Sequence, residues 1–313
     1  MESMGRVIIS GADGFIGSYT VSEFLRNGYE VLALGRRSTP SRLRPNKNMI
    51  YLPVDVADTE SWQTQCISKK YDVFIHLAWD GSAGILRSNE EIQVKNALDC
   101  LKIMRAASEV GCNRFVCAGT IMEYETETVV HLQQARPESN YIYGAGKSLA
   151  HSLCKIKGSD WGIEVVWPMI TNAYGIGERS PRMLNSTIRK ILDREPLEFT
   201  AALQNYDFIY VTDVAKALFL ITERGYPFCE YMIGSTKARP LKEFIMELIE
   251  EVAPDLTPSF GVVPYSGVNL PIEVFSTSKL KHDCGFTPLV SFREGVRMTF
   301  NWIKETEYGG GKP

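Results

Sequence analysis

The chain has 313 residues, 44% of them apolar and 23% charged, and a formal net charge of −3. That length supports a large core in one domain or two joined ones, and mild acidity without a basic block argues against nucleic acid as the main partner. No run of 18 apolar residues is present, which excludes a membrane-spanning helix.

A strand begins within a few residues of Met1, so no signal peptide is expected. Val7, Ile8 and Ile9 form a β-branched run, followed by glycines at 11, 14 and 17. An amphipathic helix then carries Phe15, Ile16, Tyr19, Val21, Phe24 and Leu25 and ends near Asn27-Gly28. Strand, tight turn and helix N-terminus in that order favour a phosphate, because free amides and the helix dipole both face the turn. Three spaced glycines also suit any structural turn, so context must decide.

A second strand is expected over 29–34, ending at Gly35-Arg36-Arg37, and a third over 49–53, running into Asp55. A helix capped by Asp58 or Thr59 covers 59–68. The apolar 72–78 segment reads as a strand buried on both faces. Helix 88–110 stops at Gly111, strand 115–118 follows, then helix 144–157 and strand 163–168. Strands alternating with helices predict an α/β fold, a doubly wound parallel sheet of the Rossmann type.

The pattern loosens after Tyr174. Helices are expected over 181–193, 213–224 and 241–252, with short strands over 197–199 and 208–211. The expected division is a dinucleotide-binding domain over 1–174, with 207–234 returning to it. Residues 175–206 and 235–306 form a smaller α+β substrate lobe, and 307–313 a loose tail. Seven scattered cysteines lack any Cys-x-x-Cys pair; they read as core residues in a reducing cytoplasm, with no metal site.

Tyr143 and Lys147 stand four apart on the 144–157 helix pattern, so they share a face. A cation beside a phenol stabilises the phenolate, and such a tyrosine can pass a proton to or from a carbinol or carbonyl oxygen. Thr120, at the end of the fifth strand, offers a hydroxyl for the same oxygen.

Together these features resemble the extended short-chain dehydrogenases/reductases, the NAD-dependent epimerase/dehydratase family that acts on nucleotide sugars. The resemblance rests on the 11–17 glycine turn, His76-Leu-Ala78, Tyr143 with Lys147, Asn172-Ala-Tyr-Gly175 and the 207–213 segment. It continues into Ser278-Lys-Leu and Gly285-Phe-Thr-Pro288. It implies Tyr143 as general acid/base, Lys147 as its partner and holder of the nicotinamide ribose, and Thr120 orienting the substrate oxygen. It implies a cofactor site of Gly11, Asp13, Gly14, Phe15, Ile16, Gly17, Asp55, Val56, Leu77, Ala78, Trp79, Pro168 and Ile170, with Asp55 toward adenine. Asn172 and Arg182 join Thr120 on the substrate side. His76 reads as a structural strand-end residue, and Trp79 fits cofactor contact or plain core packing. Helices 88–110 and 144–157 resemble those that form a four-helix homodimer contact.

Departures from the family narrow the expectation. Dehydratases of the family carry Asp-Glu after the catalytic threonine; here Ile121 and Met122 stand there, with Glu123 one step further on. Arg36 and Arg37 stand where NAD-binding members carry an acid, and two guanidiniums suit a 2′-phosphate. NADP is therefore the expected cofactor, with NAD the alternative. The expected reaction is NADPH-dependent reduction of a nucleotide-linked 4-keto-6-deoxy sugar, with a 4-epimerase retaining NAD as the runner-up. Tyr206 replaces an arginine that grips the nucleotide diphosphate in the family, and Arg179, Arg182 or Arg239 are its candidate substitutes. That departure keeps a reductase of a non-nucleotide carbonyl compound open. A non-catalytic dinucleotide-sensing protein is the reading from another class.

Overall fold

The computed structural model describes residues 4–66, 69–265 and 267–309. In chain order the first half runs β1 (Arg6–Ser10), α1 (Phe15–Arg26), β2 (Glu30–Gly35), β3 (Met49–Pro53), α2 (Thr59–Gln63), β4 (Val73–His76) and α3 (Glu90–Glu109). It continues with β5 (Arg114–Cys117), β6 (Gly119–Thr120), α4 (Met122–His131), α5 (Ile142–Asp160) and β7 (Glu164–Ile170). The second half runs β8 (Asn172–Tyr174), α6 (Met183–Asp193), β9 (Asn205–Tyr206), β10 (Phe208–Tyr210), α7 (Val211–Arg224) and β11 (Glu230–Ile233). It ends with β12 (Arg239–Pro240), α8 (Leu241–Val252), α9 (Ser278–Cys284) and α10 (Phe292–Ile303).

The main sheet has the strand order β11-β7-β5-β4-β1-β2-β3, with β6 also pairing β7. Every pairing in it is parallel. Alternation along the strands divides the core into two layers. Val7, Ile9, Val31, Ala33, Ile75 and Val166 face α1 and α7, through Val21, Phe24, Leu218 and Ile221. Ile8, Leu32, Phe74, Phe115 and Trp167 face α3 and α5, through Cys100, Ile103, Met104, Ala150 and Cys154. Helices on both faces of a parallel sheet give the Rossmann-like α/β fold.

A third core joins α6, α8 and α10 through Leu184, Ile188, Phe244, Leu248 and Val296. Two aspartates of the 207–213 segment strut this part. Asp213 accepts from the Leu289 and Val290 amides at 3.1 and 2.9 Å. Asp207 accepts from the Ser235 amide at 2.8 Å; burial pushes its carboxyl up to about 6, with the Ser235 hydrogen bonds opposing.

Several expectations differ from the fold. Residues 197–199 form no strand, only a bridge between Glu198 and Ser259, because the segment they meet bends at 261–263 and leaves no partner of length. The 59–68 helix stops at Gln63 and tightens into a 3-10 turn through Cys66; residues 67 and 68 lie outside the described residues. α4 has no counterpart in the sequence pattern, since its polar run Glu-Tyr-Glu-Thr-Glu lacks an apolar stripe. Glu307 and Tyr308, expected in a loose tail, sit in a π-turn and reach back to Arg189 and Asp193; 310–313 lie outside the described residues. Six cysteines are buried and Cys229 is half-buried. Burial pushes the Cys112 thiol far up, as in a small core residue.

Candidate active site

The carboxyl ends of β1 to β5 open on one groove of about 430 Å³, where open parallel sheets receive ligands. It gathers Gly11, Asp13, Gly14, Phe15, Ile16, Gly17, Arg36, Arg37, Asp55, Val56, Leu77, Ala78, Trp79 and Arg182. Gly11 has φ +65°, and a Cβ there would lie 2.8 Å from the Ala78 nitrogen. At Gly17 a Cβ would lie 2.0 Å from the Gly11 carbonyl oxygen. Turn and helix thus close to a distance only glycine allows, and the cradle fits a dinucleotide pyrophosphate at the α1 N-terminus.

Ser10 sets the wall beside the turn. Its Oγ accepts from the Leu77 and Ala78 amides at 3.2 and 3.4 Å, so its own hydrogen goes to His76 Nδ1 at 2.8 Å. That fixes the proton of His76 on Nε2. Burial, and then the nearby Lys147 charge, bring His76 down to about 3; it is a neutral strut in the groove lining.

Asp13 acts across the groove mouth. Its carboxylate accepts from the Ser41 amide at 2.9 Å and the Arg42 amide at 2.7 Å. Burial opposes the charge, but these amides hold the carboxyl below its usual range. Arg42 in turn donates to the Gly177 carbonyl at 2.7 Å, tying the loop after β2 to the segment leading into α6. Arg36 pairs with Asp80 at 2.7 Å and Arg37 with Asp13 at 3.4 Å.

Thr120, Tyr143 and Lys147 are all buried, on β6 and α5 and outside the groove lining, next to Ala118 and Trp79, which do line it. Lys147 Nζ donates to the Ala118 carbonyl at 2.7 Å and lies 3.7 Å from the Trp79 ring centroid. The Tyr143 ring meets Trp79 edge-on at 6.4 Å. Trp79, whose indole donates to Gln93 at 2.7 Å, therefore joins groove and tyrosine. Thr120 pairs in register with Ile170. Pro168 and Ile170 lie on buried β7, outside the groove lining, and Asn172 Nδ2 donates to the Asp207 carbonyl at 3.0 Å.

Of the three candidate substitute arginines, only Arg182 lines the groove. It is the N-cap residue of α6 in extended geometry, not the helix's first residue. Arg239 is taken up by Glu247 and the face of Phe244. Two further charged residues stand beside Tyr143 without any motif in the sequence to mark them. Arg87 lies 4.8 Å over the Tyr143 ring. Glu125 sits near it on α4; burial pushes its carboxyl up to about 7, with Arg87 opposing. Arg87 sits in a one-turn 3-10 helix, Ile85–Ser88, and α4 lacks an apolar stripe, so neither carries a periodic signal in the sequence.

The sequence of residues 7–234 matches the model of the NAD-dependent epimerase/dehydratase family. A putative UDP-glucose 4-epimerase of Methanocaldococcus jannaschii is 23% identical, over 95% of this chain and 98% of that protein. A trifunctional UDP-glucose 4,6-dehydratase/UDP-4-keto-6-deoxy-D-glucose 3,5-epimerase/UDP-4-keto-L-rhamnose reductase of Arabidopsis thaliana is 24% identical over 96% of this chain, which spans 47% of that protein's length. Among solved structures, the UDP-glucose 4-epimerase of Thermotoga maritima, with UDP-glucose, superposes with a TM-score of 0.80 at 20% identity. That superposition covers 96% of this chain and 99% of that one.

Proposed function

The chain belongs to the NAD-dependent epimerase/dehydratase family, and from that premise we propose that it moves a hydride at one carbon of a nucleotide-linked sugar. The observation that carries this reading is the commitment of Glu123, the acid nearest Thr120. It is buried and bonded to the Thr120 amide at 2.9 Å and the Trp167 indole at 3.2 Å. With Ile121 and Met122 beside it, the three positions after Thr120 offer no uncommitted acid for an elimination, which favours carbonyl–carbinol exchange.

The specific reaction proposed is reduction of a 4-keto-6-deoxy sugar. A bound nicotinamide supplies the hydride. Tyr143 gives its proton to the carbonyl oxygen, so the ketone becomes an alcohol by gaining one hydride and one proton. Thr120 Oγ accepts from the Met122 amide at 3.3 Å, which leaves its hydrogen to donate to the same oxygen. Lys147, one turn along α5 from Tyr143, would hold the nicotinamide ribose. Arg36 and Arg37 would meet the 2′-phosphate of NADP, Asp55 the adenine, and Arg182 the nucleotide diphosphate. In this reading 1–174 with 207–234 binds the dinucleotide and the rest binds the sugar nucleotide. The protein works as a cytoplasmic homodimer through α3 and α5.

A second reading, a 4-epimerase that retains NAD, is favoured by the Arg36–Asp80 and Arg37–Asp13 pairs, which already balance both guanidiniums. The activity named for the M. jannaschii relative also favours it. One experiment separates the two. The purified protein is assayed for bound dinucleotide, then offered NADPH with 4-keto-6-deoxy sugars of UDP, CDP, GDP and dTDP. Net NADPH oxidation supports the reductase. Tightly held NAD with interconversion of C4 epimers supports the epimerase. Dinucleotide binding with neither reaction leaves the sensing reading.

A further inference from the structure

We propose that Glu123 is a positioning residue, whose buried carboxylate holds Thr120 in place and exchanges no proton during the reaction. The proposal rests on the reading of Thr120 given above. Glu123 is 5% exposed. Its Oε1 accepts from the Thr120 amide at 2.9 Å, and both oxygens take the Trp167 indole N–H at 3.2 Å. Oε2 lies 3.3 Å from His151 Nδ1. The His151 ring stacks on Trp167 at 4.5 Å with 3° between planes, and its Nε2 lies 3.5 Å from Glu230. One side chain thus joins α4, α5, β6 and β7.

Two further features fit this role. A Cβ at Gly119 would lie 2.3 Å from the Trp167 Nε1 and 2.8 Å from Glu123 Oε1. The residue before Thr120 is therefore glycine because the carboxylate and indole close over it. The second feature is acceptor capacity. An ionised carboxylate can accept from all these donors, whereas a protonated one surrenders an acceptor site to its own hydrogen. Giving up a bond in a buried network leaves a donor unpaired, which costs on the order of 1–3 kcal/mol. Oε1 alone can hold both the Thr120 amide and the indole, so a group that keeps this one acceptor at the same reach keeps Thr120 in place.

Reach and charge separate the two roles. Glu123→Asp keeps the acid but shortens it by one methylene, and Glu123→Gln keeps the reach but not the acid. Positioning predicts that Glu123→Asp lowers kcat about tenfold or more, while Glu123→Gln loses about threefold or less. The dinucleotide Kd should hold in both. Loss in Glu123→Gln equal to or greater than in Glu123→Asp overturns the proposal, and so does full activity in both.

Amide exchange at Thr120, followed by NMR, reads the hydrogen bond without any substrate. Slow exchange is expected in wild type and Glu123→Gln, and faster exchange in Glu123→Asp. Fast exchange in wild type overturns the proposal. If wild type turns over none of the keto-sugars, the functional reading falls, while the exchange data still decide the role of Glu123.

Discussion

Arg87 lays its guanidinium 4.8 Å from the ring centroid of Tyr143, a cation on the face of the residue proposed to handle the proton. Its Nε is buried without a hydrogen-bond partner among the described residues, and such a donor calls for an acceptor. A sugar oxygen next to the reacting carbon is the acceptor expected. Arg87→Ala should raise KM for the sugar nucleotide about tenfold and leave the dinucleotide Kd unchanged, as read by steady-state kinetics and fluorescence titration. An unchanged KM removes Arg87 from the sugar site.

Tyr143→Phe removes one hydroxyl while keeping the ring between Arg87 and Trp79. Turnover should fall by about 10²–10⁴-fold, the usual worth of a positioned acid, with cofactor affinity nearly intact. Stopped-flow reduction of a keto-sugar measures this. Wild-type rates in the variant would end the proposed mechanism.

The paired replacement Arg36→Ala with Arg37→Ala tests the cofactor. If both guanidiniums serve a 2′-phosphate, NADPH binding should weaken about tenfold or more and NADH binding should barely move. Equal losses for the two dinucleotides would show that Asp80 and Asp13 are the true partners of these arginines.

His76 gives a pH signature. Its folded value of about 3 lies below the ordinary 6.5, so between those values the unfolded chain takes up a proton that the native site refuses. Its contribution to stability is therefore complete above pH 6.5 and is lost as pH falls toward 3, with a slope of up to about 1.4 kcal/mol per unit. Urea melts of wild type and His76→Gln at pH 7.5 and 5 should show the smaller pH dependence in the variant. Parallel behaviour would contradict burial of a neutral ring.

Val94 and Leu98 on α3 and Ile156 on α5 are 48%, 55% and 66% exposed. Such an apolar surface on adjoining helices suits a self-complementary contact. Leu98→Glu with Ile156→Glu should convert a dimer to a monomer in sedimentation velocity. An identical sedimentation coefficient in wild type and variant would place any dimer contact elsewhere.

Local pattern made the sheet, the glycine turn and the Tyr143/Lys147 face legible in the sequence. Each depends on neighbours within a turn or a strand: β-branched runs flanked by glycine, apolar residues at helical spacing, two side chains four apart. The roles of Glu123, Asp13, Arg87 and Arg239 were decided only by tertiary structure. Glu123 stands one step beyond the positions where family dehydratases carry their acids, and its indole partner is 44 positions away. Asp13 lies inside the glycine turn, yet its carboxylate goes to a loop 28 positions on. Arg239 reads as a spare phosphate-binding charge until Glu247 and Phe244 take it up. Charge type is written in the sequence. Which charges are already satisfied depends on where the fold brings distant partners, because a buried polar group is shaped by whatever pairs with it.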